Sequence, residues 1–104
     1  MDINRVKLIV YDFDGVMTDN RALVSENGAE SVYINRGDGL AIRLLKEKGL
    51  KQIILSTESN KVVSARGKKL GLDVIQSVED KENELRSYVK NNNLTLDQIM
   101  YIGN

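Results

Sequence analysis

Residues Lys7 to Asn20 read KLIVYDFDGVMTDN, and this stretch decides the fold. Lys7 to Asp12 is mostly apolar on both faces, the pattern of a strand enclosed within a parallel sheet and not of one with a wet side. It delivers Asp12 and Asp14 and is then ended by Gly15. In an extended chain residues i and i+2 lie on the same side, so the two carboxylates stand together at the strand's end. Adjacent anions repel, and a bound cation or a shared proton is the usual compensation.

Outward from this stretch, composition narrows the chemistry. At 104 residues the chain is the size of one domain, able to bury roughly two-thirds of its unfolded surface. Lys+Arg and Asp+Glu number 15 each and cancel, so charge points to neither nucleic acid nor an anionic membrane. There is no cysteine and no histidine, which excludes disulfides, thiolate metal sites, thiol nucleophiles, Ser-His and Cys-His mechanisms and His-ligated zinc. Acid-base work is left to carboxylates, Lys or Tyr. The opening MDINRVKLIV has an apolar run too short to span a membrane and no small-residue cleavage site, so a cytoplasmic protein is expected.

Downstream, Ala22–Ser25 and Ser31–Ile34 flank Glu26-Asn27-Gly28-Ala29, a hairpin signal whose short strands need packing from elsewhere. Asp38 is the expected N-cap of a helix over Gly39–Lys48, with Leu40, Ala41, Leu44 and Leu45 as its apolar stripe. A strand over Lys51–Ser56 follows. Asn60 is expected to cap a helix to Leu70 on which Val63, Gly67 and Leu70 share a face. Asp73–Gln76 reads as a strand, Glu79–Lys90 as a helix with Leu85 and Val89 paired, and Gln98–Gly103 as a last strand. The order β, hairpin, α, β, α, β, α, β predicts an α/β fold: a Rossmann-like parallel sheet with flanking helices, right-handed crossovers and a β-hairpin inserted after the first strand. Ligands in such sheets bind outside the carboxyl ends of the strands. That rule brings Asp12–Thr18, Ser56–Glu58, Ser77–Lys81 and Gly103-Asn104 to one edge.

Asp12-Phe13-Asp14-Gly15-Val16-Met17-Thr18-Asp19 resembles the first motif of the haloacid dehalogenase superfamily phosphatases, DxDGxxTD, at the place that family puts it. The resemblance implies that Asp12 is a nucleophile forming an aspartyl-phosphate and that Asp14 protonates the leaving alcohol and then activates water. It implies a Mg²⁺ held by the Asp12 carboxylate and the Asp14 main-chain carbonyl, and a Gly15 that lets backbone amides turn toward phosphoryl oxygens. Ser56 matches the second-motif hydroxyl, although a Ser after a strand is as readily a turn residue. Lys81 matches the third-motif lysine, although it stands at a helix start where the dipole disfavours it; Lys61 and Lys68 are weaker substitutes.

The likeness is nearest to the cap-less subgroup acting on eight- and nine-carbon sugar acid phosphates: 3-deoxy-manno-octulosonate 8-phosphate phosphatase, the nonulosonate 9-phosphate phosphatases, and the C-terminal domain of some sialic acid cytidylyltransferases. The hairpin in place of a cap, Gly37-Asp38-Gly39, Ser56-Thr57-Glu58 and Ala65-Arg66-Gly67-Lys68-Lys69-Leu70 carry it. It implies substrate contacts from Asp14, Gly15, Thr57, Glu58 and Lys69, with Lys69 pairing the substrate carboxylate; otherwise Glu58 caps the next helix and Lys69 is solvated. It also implies a homotetramer assembled through the hairpin, each neighbour covering an open site. The family's fourth motif begins Gly-Asn-Asp or Gly-Asp-Asp, whereas the sequence reads Gly103-Asn104 and stops, so residues 1–104 are expected to be a single, C-terminally incomplete domain. Two other readings stay open. One is a non-catalytic oligomerisation domain like that of the cytidylyltransferases; the other, weaker, is a phosphorylation receiver, which needs an Asp after the third strand where Ser77 and Val78 stand.

Overall fold

The computed structural model describes residues 3–103; Met1, Asp2 and Asn104 lie outside them, and with them the last residue of the Gly103-Asn104 step. After a short 3₁₀ turn at Ile3–Arg5, the elements are β1 (Leu8–Tyr11), β2 (Leu23–Val24), β3 (Glu30–Ser31), α1 (Gly37–Glu47), β4 (Lys51–Leu55), α2 (Lys61–Leu70), β5 (Asp73–Ile75), α3 (Lys81–Asn91) and β6 (Ile99–Ile102), the last preceded by a 3₁₀ turn at Leu96–Gln98. Four strands form one sheet in the order β5-β4-β1-β6, and all three pairings are parallel. β1 is central, with Tyr11 beside Ile54 of β4 and Ile102 of β6. This is the expected Rossmann-like α/β architecture.

The period-2 geometry of β1 and β4 divides the core between the two faces of the sheet. Ile9, Tyr11 and Ile54 pack with Phe13, Met17, Ile42 and Val63 under α1 and α2. Leu8, Val10, Ile53 and Leu55 pack with Val78, Val89 and Ile99 under α3, where Leu85 joins them. One polar chain crosses the first layer: Tyr11 Oη donates to Gln52 Oε1 at 2.6 Å and Gln52 Nε2 donates to the Ile42 carbonyl at 3.0 Å. The chain satisfies buried polar groups and ties α1 to the central strands. α2 lies close on β5 because Gly67 has no side chain: a Cβ there would stand 2.1 Å from Val74 Cγ2.

Three expectations are corrected. α1 starts at Gly37, so Asp38 lies inside its first turn and is not the cap; Asn35 Oδ1 accepts from Gly37 N at 2.7 Å instead. Ile42, not the Leu40, Ala41 and Leu44 stripe, enters the core, and only Leu45 of that stripe packs against it. The hairpin strands shrink to two residues each, and Leu23 and Val24 are exposed, since no described residue covers them. The hairpin turn itself forms, with Ser25 N donating to Ala29 O at 2.9 Å and Gly28 at φ +86°, where glycine carries no steric penalty. Among the described residues no helix is long and apolar enough to cross a membrane.

Candidate active site

The carboxyl ends of the strands are stitched to one another by their own backbones. Asp12 N donates to Ile102 O, Ser56 N to Ile75 O, Val78 N to Ser56 O and Ser77 N to Glu58 O, at 2.9 to 3.2 Å. Ser77 takes a left-handed φ of +61° to make this junction. Gln76 Nε2 adds bonds to the carbonyls of Glu58 at 3.2 Å and Asn60 at 3.1 Å. The four segments expected at this edge are therefore held there, apart from Asn104.

The DxDGxxTD loop folds as a single helical turn, with Met17 N on Phe13 O at 2.9 Å and Gly15 at φ +79°. Buried Thr18 accepts from both Gly15 N (3.2 Å) and Asn20 N (3.1 Å), so Thr18 shapes the loop and the Gly15 amide is engaged within it. Asp19 pairs with Arg21 in the following turn.

Lys81 is the first residue of α3, and its Nζ donates to Asp12 Oδ1 in an ion pair whose side chains are 28% and 18% exposed. Burial works to lower the Lys81 pKa, but hydrogen bonds to Asp12 and Tyr101 outweigh it and hold the ammonium above the usual lysine value. A cation at a helix N-terminus is unfavourable by itself; the Asp12 carboxylate offsets this, and Asp80 caps the helix through Asn83 N. Asp14 shifts upward, first through partial desolvation and then through the fields of Glu58 and Glu30, against the opposing charge of Lys81. The two acids thus sit in different surroundings: Asp12 faces the Lys81 ammonium, and Asp14, partly desolvated and near Glu58 and Glu30, keeps its proton more readily.

Asp14 and Glu58 line one cavity of about 170 Å³, with Phe13, Asn20, Arg21, Glu30 and Asn60 among its walls. Glu58 Oε1 accepts from Ser59 N and Asn60 N, both at 3.1 Å, so it also braces the entrance to α2, which Asn60 caps through Val62 N. Ser56 is buried at the end of β4 and accepts from Glu58 N at 3.0 Å, while Thr57 is exposed beside it. Lys69 is not brought to this cavity. α2 runs back from the carboxyl edge, so its last turn reaches the opposite end of the sheet, where Lys69 shares a groove with Arg36, Arg43, Lys46 and Arg66.

Three residues of the site were missed from sequence. Glu30 enters from the hairpin and accepts from Asn60 Nδ2 at 3.0 Å, a contact 30 residues long with no local signal. Asn60 itself was read only as a cap. Tyr101 Oη donates to Asp12 Oδ1, and Lys81 Nζ reaches Tyr101 Oη at 3.4 Å; its place on the last strand, two residues before Gly103, was the available sign.

Oxygen donors of the Asp12 and Asp14 kind suit a hard cation such as Mg²⁺, and the excess negative field that raises Asp14 is one a cation would relieve. Among the described residues no group of three or more His, Cys, Asp or Glu is assembled to hold a metal, so Asp12 and Asp14 would supply only part of its shell.

No protein-family model matches the chain. The whole fold does have close solved counterparts. A chain described as a HAD family hydrolase from Streptomyces avermitilis superposes with a TM-score of 0.93 at 38% identity, over 98% of this chain and 59% of that one. The 3-deoxy-D-manno-octulosonate 8-phosphate phosphatase of Moraxella catarrhalis, solved with magnesium, phosphate and KDO, superposes at 0.92 with 30% identity, over 98% and 59%. The chain belongs to the haloacid dehalogenase superfamily. It is also 29% identical over 103 residues to the N-acylneuraminate cytidylyltransferase of Oncorhynchus mykiss, covering 95% of this chain and 24% of that enzyme. It thus spans about a quarter of that relative and about three-fifths of the solved chains.

Proposed function

We propose that this haloacid dehalogenase-like chain carries the site of a Mg²⁺-dependent phosphatase that hydrolyses the phosphate monoester of an eight- or nine-carbon sugar acid. The observation that carries the reading is the Lys81–Asp12 ion pair beside an Asp14 whose pKa is raised. Asp12 attacks phosphorus: its oxygen–phosphorus bond forms as the bond to the sugar oxygen breaks, and Asp14 gives that oxygen its proton. Asp14, now ionised, takes a proton from water as the water oxygen attacks the phosphorus of the aspartyl-phosphate, which frees Asp12 and inorganic phosphate. Ser56 and Lys81 hold the transferring group, and Asp12 with the Asp14 carbonyl would hold Mg²⁺, whose part is to screen one anion from another. Glu58, with Gly15 and Thr57 nearby, would receive the sugar hydroxyls. In a homotetramer joined by the hairpins, Lys69 would serve a neighbour's substrate carboxylate, since it lies far from its own chain's cavity. Asp12→Asn should abolish Mg²⁺-dependent phosphate release from a nonulosonate 9-phosphate or octulosonate 8-phosphate; undiminished release from that variant would overturn the mechanism.

A second reading is a non-catalytic oligomerisation domain, favoured by the exposed hairpin residues Leu23, Val24 and Tyr33, at 72%, 60% and 77% exposure. Such apolar exposure marks association surfaces. Phosphate release that requires Asp12 would reject a purely structural role.

A further inference from the structure

Tyr101 is absent from the reaction just described, yet it touches its central group. Its hydroxyl donates to Asp12 Oδ1, the same oxygen that Lys81 engages, and Lys81 also reaches the Tyr101 oxygen at 3.4 Å. The three groups close a triangle between the ends of β1 and β6 and the start of α3. The backbone makes room for it: a Cβ on Gly103 would meet the Tyr101 ring at 2.7 Å and Asp12 Oδ2 at 3.4 Å, so the ring and the carboxylate lie together over a residue that has to be small.

The terminal torsion of an aspartate is broad and twofold, so its two oxygens exchange unless something holds them. One donor on one oxygen leaves the carboxylate able to pivot about that contact. Two donors from different elements, converging on Oδ1, make the oxygens inequivalent. We infer that Tyr101 is a positioning residue for the phosphoryl-transfer reaction: together with Lys81 it holds Oδ1 and so fixes the rotation of the Asp12 carboxylate in which the reaction begins. The inference rests on the phosphatase reading and adds to it a requirement for a hydroxyl on β6. Nucleophilic attack is sensitive to such alignment, because small angular errors in a near-attack geometry cost rate without costing binding.

Tyr101→Phe removes one oxygen and keeps the ring packed on Gly103. With p-nitrophenyl phosphate and Mg²⁺, kcat should fall about tenfold, the equivalent of one hydrogen bond, while KM stays within about twofold. An unchanged or raised kcat would overturn the inference, as would a matched loss of kcat, KM and melting temperature, which marks a structural role. If the natural chain shows no turnover beyond that of Asp12→Asn, the phosphatase reading fails for this chain, and carboxyl ¹³C NMR decides on positioning alone. A displaced Asp12 Cγ resonance in Tyr101→Phe supports it, and a resonance coincident with the natural protein's overturns it.

Discussion

Replacing Gly67 with alanine tests how α2 is seated on the sheet, and two opposed effects set its outcome. In a helix interior, alanine is favoured over glycine by about 1 kcal/mol, so an unhindered site would gain stability. Here the new methyl would stand 2.1 Å from Val74 Cγ2, with Leu72 O at 3.5 Å and Ile54 Cδ1 at 3.6 Å behind it. Ordinary contact begins near 3.4 Å, so Val74 or α2 has to give by more than about 1 Å. Val74 is held by β5, its χ1 is stiff, and overpacking of this kind costs about 1–3 kcal/mol. The clash wins, and Gly67→Ala should destabilise by about 1 kcal/mol net, lowering Tm by about 4–8 °C. Urea unfolding of the single variants and of the pair with Val74→Ala completes the cycle. With the valine methyl gone, Gly67→Ala should turn stabilising. An equal cost in both backgrounds would refute the steric account.

Further tests bear on the site. Lys81→Met leaves Asp12 without its cation at a position between buried and exposed, so urea unfolding at pH 7 should show a loss of about 1–3 kcal/mol, where a fully solvated pair would show less than about 1. Because the Lys81 pKa is raised on folding, its contribution is full below the ordinary lysine value of 10.5 and is lost as pH rises through the folded value; a difference between natural protein and variant that already vanished near pH 8 would contradict the pairing. For Asp14, also raised, the sign puts the penalty above its ordinary pKa of 3.8, so Asp14→Asn should raise Tm at pH 7 by at most about 2–4 °C and leave it unchanged near pH 3. The same variant should slow alkyl phosphates more than p-nitrophenyl phosphate, whose leaving group needs no proton; equal slowing would remove Asp14 from the acid role. Leu23→Asp with Val24→Asp should reduce the sedimentation coefficient if the hairpin assembles subunits, and an unchanged coefficient would sink that role.

The parallel sheet and the succession of its elements along the chain were legible because their causes are local. Leu8 to Tyr11 and Ile53 to Leu55 are apolar on both faces, the pattern of a strand covered on both sides, and helices between such strands leave one handedness of crossover. The Asp12, Asp14 and Lys81 placements followed from strand ends alone. Tertiary packing decided the rest. Ile42 enters the core while Leu40 and Leu44 stay exposed, and the Gln52 bond to the Ile42 carbonyl, made from β4, ties α1 to the sheet at that residue; the helix's own periodicity does not encode this. Lys69 reads in sequence as a near neighbour of Glu58, yet ten residues of helix carry it to the far edge. Glu30 and Tyr101 meet the site across 30 and 89 residues of chain, and no spacing encodes a contact made only when separate elements close on one another. The paired carboxylates of Lys7–Asn20 were written in the sequence; which of their oxygens and protons are held, and by what, is decided only in the folded chain.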